Sequence, residues 1–313
     1  MRVKIVLIIV LSLACVAVSP FIGPALEGAQ GGFILWNLRL PRTLMAVLAG
    51  AMLSLVGASY QTVLHNPMAE PGTVGTMAGA TLGAVIAVVS GVIAPAAGLP
   101  MVTLFAFAGA LIVSLALTAI ASSGRASVND VLLAGIAIAL MASAVATGLQ
   151  FTADQASTLA AVRWALGHLA QVGYADAALV AVFVVPVSVL LLLQTPALDA
   201  ISAGEDRAFS QGVDVPKLRA LVLGLGALGV AACVAWCGPI VFVGLVVPHL
   251  VRLGVGASRR LVMPLSPIAG AGFLAVCDMI SRVLLPQREL PVGVITAAIG
   301  APMLVWLVVR QRR

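Results

Sequence analysis

Charge is what this sequence has least of. Only 9% of its 313 residues are Asp, Glu, Lys or Arg, while 62% are hydrophobic and the mean hydropathy is +1.16. Soluble globular chains carry about 25% charged residues, so an ordinary aqueous fold is excluded and a bilayer is the fitting solvent. Lysine is nearly missing: Lys4 and Lys217 are the only two, and neither stands in G-x-x-x-x-G-K-[ST]. The chain therefore has no P-loop to cradle ATP. It also has no H-E-x-x-H and no G-x-S-x-G, and its three histidines, His65, His168 and His249, lie far apart, so catalysis is poorly supported. Cys15, Cys233, Cys237 and Cys277 sit in apolar runs without a C-x-x-C spacing, which points to packing rather than a disulfide framework or metal site. Aromatics are 5%, and the basic residues behind a net charge of +6 form no stripe with them. Nucleic acid is excluded as a partner on that ground.

What is present is a succession of apolar segments, at about 4–22, 43–64, 74–94, 99–121, 130–151, 176–193, 218–236, 240–256, 264–285 and 291–309. These ten predict an all-α polytopic membrane protein forming one transmembrane domain over residues 1–313. The first twenty residues also have the charged start and apolar core of a signal peptide; the spans that follow favour an uncleaved first helix. With the N-terminus in the cytoplasm, twelve basic residues fall inside (Arg2, Lys4, Arg125, Arg207, Lys217, Arg219, Arg252, Arg259, Arg260, Arg310, Arg312, Arg313) and five outside (Arg39, Arg42, Arg163, Arg282, Arg288). The positive-inside bias thus predicts both termini in the cytoplasm.

Gly75, Gly79 and Gly83 recur every four residues, and Gly50, Ser54 and Ala58 do so less strictly, as in closely packed membrane helices. The longest polar interruption, residues 195–217, is cytoplasmic in this topology. Within it SAGEDRAFSQG predicts one short helix, with Ser202 as cap, Glu205 at a capping-box position and Gly212 at its end. A solvated loop helix and a surface for a cytoplasmic partner are both open for it. Asp278, in FLAVCDMISRVLL, is the one good candidate for an acid inside the membrane, and Arg282 lies four residues on, on the same helix face. The spacing favours a structural ion pair over a proton relay. Without a P-loop, transport would draw either on a partner ATPase or on an ion gradient acting through Asp278.

Four stretches, LRLPRTLMAVLAGAMLSLVGASYQTVLHNPMAEPGTVG, VLLAGIAIAL, GPIVFVGLVVPHLVRL and ELPVGVITAAIGAPMLVWL, in that order, resemble the iron-chelate, haem and cobalamin permease family of type II ABC importers. The resemblance implies the type II importer permease fold of ten helices in the bacterial inner membrane. It implies no cofactor on this chain and ATP-Mg on a partner ATPase. Its implied partners are a second permease copy, two cytoplasmic ATPase subunits and a periplasmic or lipid-anchored binding protein. Arg39, Arg42 and Arg282 match outward arginines that meet acidic side chains of the binding protein, where a planar guanidinium–carboxylate pair fixes orientation. Gly204, Glu205, Arg207 and Gly212 match the segment that couples to the ATPase. Met77–Ala78 and Val128–Asn129 match the cytoplasmic gate, although Met77–Ala78 departs from the small polar pair common in the family. The fifth segment, with Ser143, Thr147 and Gln150 as its few polar groups, would line the pathway. The implied cargo is a ferric siderophore or haem, with cobalamin or molybdate as further members of the class. Arg163 beside Trp164 would face an anionic cargo at the outer mouth.

Overall fold

The structure is a computed structural model that describes residues 2–23, 31–91, 100–122, 128–169, 172–285 and 289–311. Among these residues the secondary structure is helical throughout, with no strand. Arg125, Arg288, Arg312 and Arg313, which enter the orientation argument, lie outside the described residues. In chain order the helices are α1 (Arg2–Val18), α2 (Leu40–Val63), α3 (Thr76–Val89), α4 (Met101–Ser122), α5 (Val128–Thr152), α6 (Gln155–Ala165), α7 (Tyr174–Leu193), α8 (Thr195–Ser202), α9 (Glu205–Ser210), α10 (Val215–Cys237), α11 (Val243–Val255), α12 (Arg259–Val283) and α13 (Val292–Gln311).

Among the described residues, seven helical stretches are long and apolar enough to cross a membrane. Where the hydropathy pattern places spans at 74–94 and 240–256 the apolar helices are shorter, Thr76–Val89 and Val243–Val255, while α13 covers the expected span at 291–309. Residues 92–94 of the first of these lie outside the described part. Both are shortened by non-helical backbone at one end. Before α11, Gly238 (φ 66°) and Phe242 (φ 69°) turn the chain, and Phe242 packs against Gly300 of α13. Before α3, residues 64–75 form a compact turn in which Ala69, Glu70, Pro71 and Val74 are buried. Pro71 of that turn lies against Gly244 of α11, so the two irregular segments cover each other. Non-helical backbone within a membrane bundle persists only where protein surrounds it in this way.

α2 is the central element, buried at nearly every position and packed against α7, α10, α11 and α12. It is preceded by helical turns from Gly31, so the apolar helix starts well before the expected residue 43. Within it Pro41 lacks an N–H and crowds the preceding turn. The turns Ile34–Arg39 widen to π geometry, with Leu40 N–H bonded to Leu35 O.

Glycines let the helix backbones touch. Gly50 meets Gly270 of α12, Gly57 meets Gly244 of α11, and Gly79 and Gly83 meet Gly109 and Phe105 of α4. A methyl at Gly57 would overlap the Gly244 carbonyl. Gly57→Ala is therefore expected to destabilise the protein by about 1–3 kcal/mol, visible as a lower melting temperature in detergent. An unchanged melting temperature would show that α2 and α11 can separate freely.

Candidate functional site

At the end of the bundle where α2 begins and α12 ends, three cations and two anions from three chain segments converge. Arg39 is the residue before α2 and Arg42 lies in its first turn; Asp278 and Arg282 are one turn apart near the end of α12. Arg42 Nε donates to Asp278 Oδ1 at 2.7 Å, and its Nη1 to Glu289 Oε2 at 2.5 Å. Arg282 Nη2 sits 3.1 Å from Asp278 Oδ2 and donates to Ser19 O at 2.9 Å and Ser19 Oγ at 3.0 Å. Arg39 Nη1 donates to Pro20 O at 3.3 Å. Relative exposure is 6% for Arg39, 7% for Arg42, 0% for Asp278 and 4% for Arg282, whereas the Glu289 side chain is 48% exposed.

The i, i+4 pair of the sequence is thus present, but Asp278 is shared with Arg42, which the sequence alone did not join to it. The guanidinium groups are turned into the protein and tie α1, α2 and α12 together at this end. Burying so much charge is tolerable only because each group has partners.

Beside the cluster is a cavity of about 1170 Å³ whose lining includes Arg42, Arg163, Trp164, His168, Trp236 and Glu289. Trp236 Nε1 donates to Asp176 Oδ1 at 3.0 Å. His168 lies in the connection after α6, with its backbone N–H bonded to Cys237 O at 2.7 Å. Burial, reinforced by the neighbouring Arg42, holds its imidazole below the ordinary histidine value, so it is neutral at pH 7. α6 itself was not foreseen; its signal is Asp154, whose carboxylate accepts from the N–H groups of Ala156 and Ser157 as an N-cap.

The opposite face carries the 195–217 segment. It forms two helices rather than one, α8 and α9, divided at Gly204 (φ 116°). Ser202 does not cap the second helix, because its hydroxyl donates to Asp199 O at 2.7 Å. Glu205 likewise reaches Arg219 at 2.8 Å instead of closing a capping box. Gly212 (φ 79°) ends the turn after α9, its N–H bonded to Phe209 O at 2.9 Å. Phe209 was not singled out by sequence, yet it is 80% exposed while its neighbour Ala208 is fully buried.

Between the two ends, α5 buries only Val131, Gly135, Ala142 and Ala146. Ser143 and Thr147 are exposed and Gln150 is half-buried, on a helix that also leaves Leu133, Leu140 and Met141 uncovered. Of the gate residues, Met77 is buried, Ala78 and Val128 are half-buried and Asn129 is exposed. The structure also buries a second acid besides Asp278. Glu70 is 6% exposed, beside the backbone N–H of Phe242. It escapes a hydropathy reading because its cover comes from a segment far along the chain. Among the described residues no group of three or more His, Cys, Asp or Glu is placed to hold a metal ion.

Residues 3–310 match the FecCD transport family. The vitamin B12 import system permease protein BtuC of Vibrio cholerae is 38% identical over 279 residues, covering 89% of this chain and 83% of that protein. The hemin transport system permease protein HmuU of Yersinia pestis is 34% identical over 281 residues, covering 88% and 83%. A solved structure described as a metal-chelate type ABC transporter in an inward-facing conformation superposes with a TM-score of 0.88 at 26% identity, covering 99% of this chain and all of that one. This chain is a member of the FecCD transport family of ABC importer permeases.

Proposed function

We propose that this chain is the membrane-spanning subunit of an ATP-driven importer that carries a metal chelate, a ferric siderophore or haem, with cobalamin as a further candidate, into a bacterial cytoplasm. The chain is a transport subunit rather than an enzyme, and ATP hydrolysis belongs to a separate subunit. The observation that carries the proposal is similarity along nearly the whole length to permeases named for vitamin B12 and hemin import.

In this assembly the seven long apolar helices together with Thr76–Val89, Val243–Val255 and α13 make ten crossings of the inner membrane, with both termini inside. Two copies pair through the uncovered face of α5, so that Ser143, Thr147 and Gln150 line a weakly polar conduit. Met77, Ala78, Val128 and Asn129 close it towards the cytoplasm. The binding protein docks on the outer end. There three guanidinium groups (Arg39, Arg42, Arg282) exceed two carboxylates (Asp278, Glu289), leaving one net positive charge to steer acidic side chains. On the cytoplasmic face Gly204, Glu205, Arg207 and Gly212 shape the 195–217 segment for two ATPase subunits, and Phe209 is the apolar anchor. Asp278, held between two arginines, supports ATP drive over a proton gradient, since a relay needs an acid free to exchange its proton.

Cargo is decided by uptake. Cells lacking the chain would be supplied separately with a radiolabelled ferric siderophore, hemin or cyanocobalamin. One of the three is expected to enter only when the chain is restored. If none depends on it, a metal chelate is the wrong cargo class.

A further inference from the structure

The cytoplasmic end of α2 is a junction. Arg219 of α10, only 8% exposed, donates from Nε to Val63 O at 3.3 Å and from Nη2 to Glu205 Oε1 at 2.8 Å. Val63 is the last residue of α2, so its carbonyl lacks a helical partner and Arg219 supplies one. Two residues on, His65 sits in the left-handed region (φ 42°), which directs its ring to α8, where Nε2 donates to Ile201 O at 3.1 Å. One clamp therefore grips α8 and another grips α9, both at the same end of α2.

The turn that follows is braced by its own hydrogen bonds. Asn66 Oδ1 accepts from Met68 N at 2.8 Å, Thr73 Oγ1 accepts from Glu70 N at 3.0 Å and donates to Glu70 O at 2.8 Å, and Val74 N bonds Glu70 O at 3.2 Å. It ends against α5. A Cβ at Gly135 would lie 3.1 Å from Thr73 O and 3.3 Å from Val74 Cα, and one at Gly75 would lie 3.1 Å from Gly135 O. Backbone thus touches backbone where the turn meets the helix that lines the proposed conduit.

We infer that Arg219 and His65 are positioning residues that pass movement of α8 and α9 through the 66–75 turn to α5. The inference rests on the proposed importer function and adds the path by which the ATPase would act on the conduit. Because the turn is stiff and the contact at Gly135 has no side chain to yield, a displacement of the helix pair reaches α5 as a rigid push.

The test uses the full complex with its ATPase and binding protein in proteoliposomes, measuring cargo moved per ATP hydrolysed. Arg219→Met is expected to lower that ratio about tenfold, within the usual range of coupling between sites. Binding-protein-stimulated hydrolysis is expected to stay within about twofold of wild type in His65→Ala, whose ring bonds Ile201 O and leaves the Glu205–Arg219 pair and Phe209 in place. Arg219→Lys restores only part of the ratio, because one ammonium cannot hold Glu205 and Val63 O as the guanidinium fork does. His65→Ala, at an exposed side chain that no core depends on, lowers the ratio about threefold, the worth of one hydrogen bond. It decides the matter should Arg219→Met not fold. A ratio unchanged in His65→Ala and in every folded Arg219 variant overturns the inference, as does a fall in transport and hydrolysis together in His65→Ala. A wild-type complex without stimulated hydrolysis overturns the importer proposal instead.

Discussion

Asp278→Ala is expected to destabilise the protein by about 3–5 kcal/mol, the usual result of removing one partner from a buried ion cluster. Asp278 has no exposure, and it faces Arg42 Nε at 2.7 Å and Arg282 Nη2 at 3.1 Å. Without the carboxylate, Arg282 keeps its bonds to Ser19 and Arg42 keeps Glu289, but two guanidinium groups remain close together without the anion between them. The ends of α1, α2 and α12 should then separate, lowering the melting temperature in nanodiscs and the yield of folded protein. Replacing the buried triad together (Arg42→Met, Asp278→Leu, Arg282→Met) should recover most of the loss, because apolar groups of similar volume carry no desolvation cost. Asp278→Asn separates the two energy sources. With ATP drive, transport per folded molecule survives; with proton coupling through Asp278, transport is abolished in protein that melts normally.

Phe209→Ala is the second large effect, and it should appear in association rather than in folding. The ring is 80% exposed, so its loss should change stability by no more than about 0.5 kcal/mol. A bulky aromatic seated in a partner's pocket is typically worth about 2 kcal/mol or more at an interface centre. That corresponds to an approximately thirtyfold weaker association with the ATPase subunit. The backbone that presents the ring should persist, because Ala208 stays buried beneath it and Glu205 stays on Arg219. Titration of purified ATPase onto the nanodisc-held permease measures the effect. Equal affinity for wild type and variant would place the ATPase contact elsewhere on the 195–217 segment.

The apolar runs were legible because burial in lipid demands them, and each of the ten expected segments holds an apolar helix. Their lengths were less legible. Thr76–Val89 and Val243–Val255 are short because turns at Gly75 and Phe242 enter the bundle, and hydropathy does not distinguish an apolar turn from an apolar helix. Asp278 and Arg282 could be paired from their spacing along one helix. Arg42 could not, because it lies 236 residues away from Asp278 in sequence. The same distance problem hides the cover over Glu70 and the partner of Arg219. In the 195–217 segment Ser202 and Glu205 had the spacing of a capping box, but Gly204 adopts a backbone angle that breaks the helix, and Arg219 competes successfully for Glu205. Phe209 was passed over because an isolated aromatic in a polar loop shows its exposure only once the backbone is folded.

One measurement bears most directly on the importer proposal. The chain is co-expressed with candidate ATPase subunits, purified in lipid nanodiscs, and assayed for ATP hydrolysis with and without its binding protein. An ATPase that co-purifies, and whose hydrolysis the binding protein stimulates, is the expected result. If no ATPase associates and uptake in cells is instead lost in Asp278→Asn, the chain is not driven by ATP and the gradient-driven alternative takes its place.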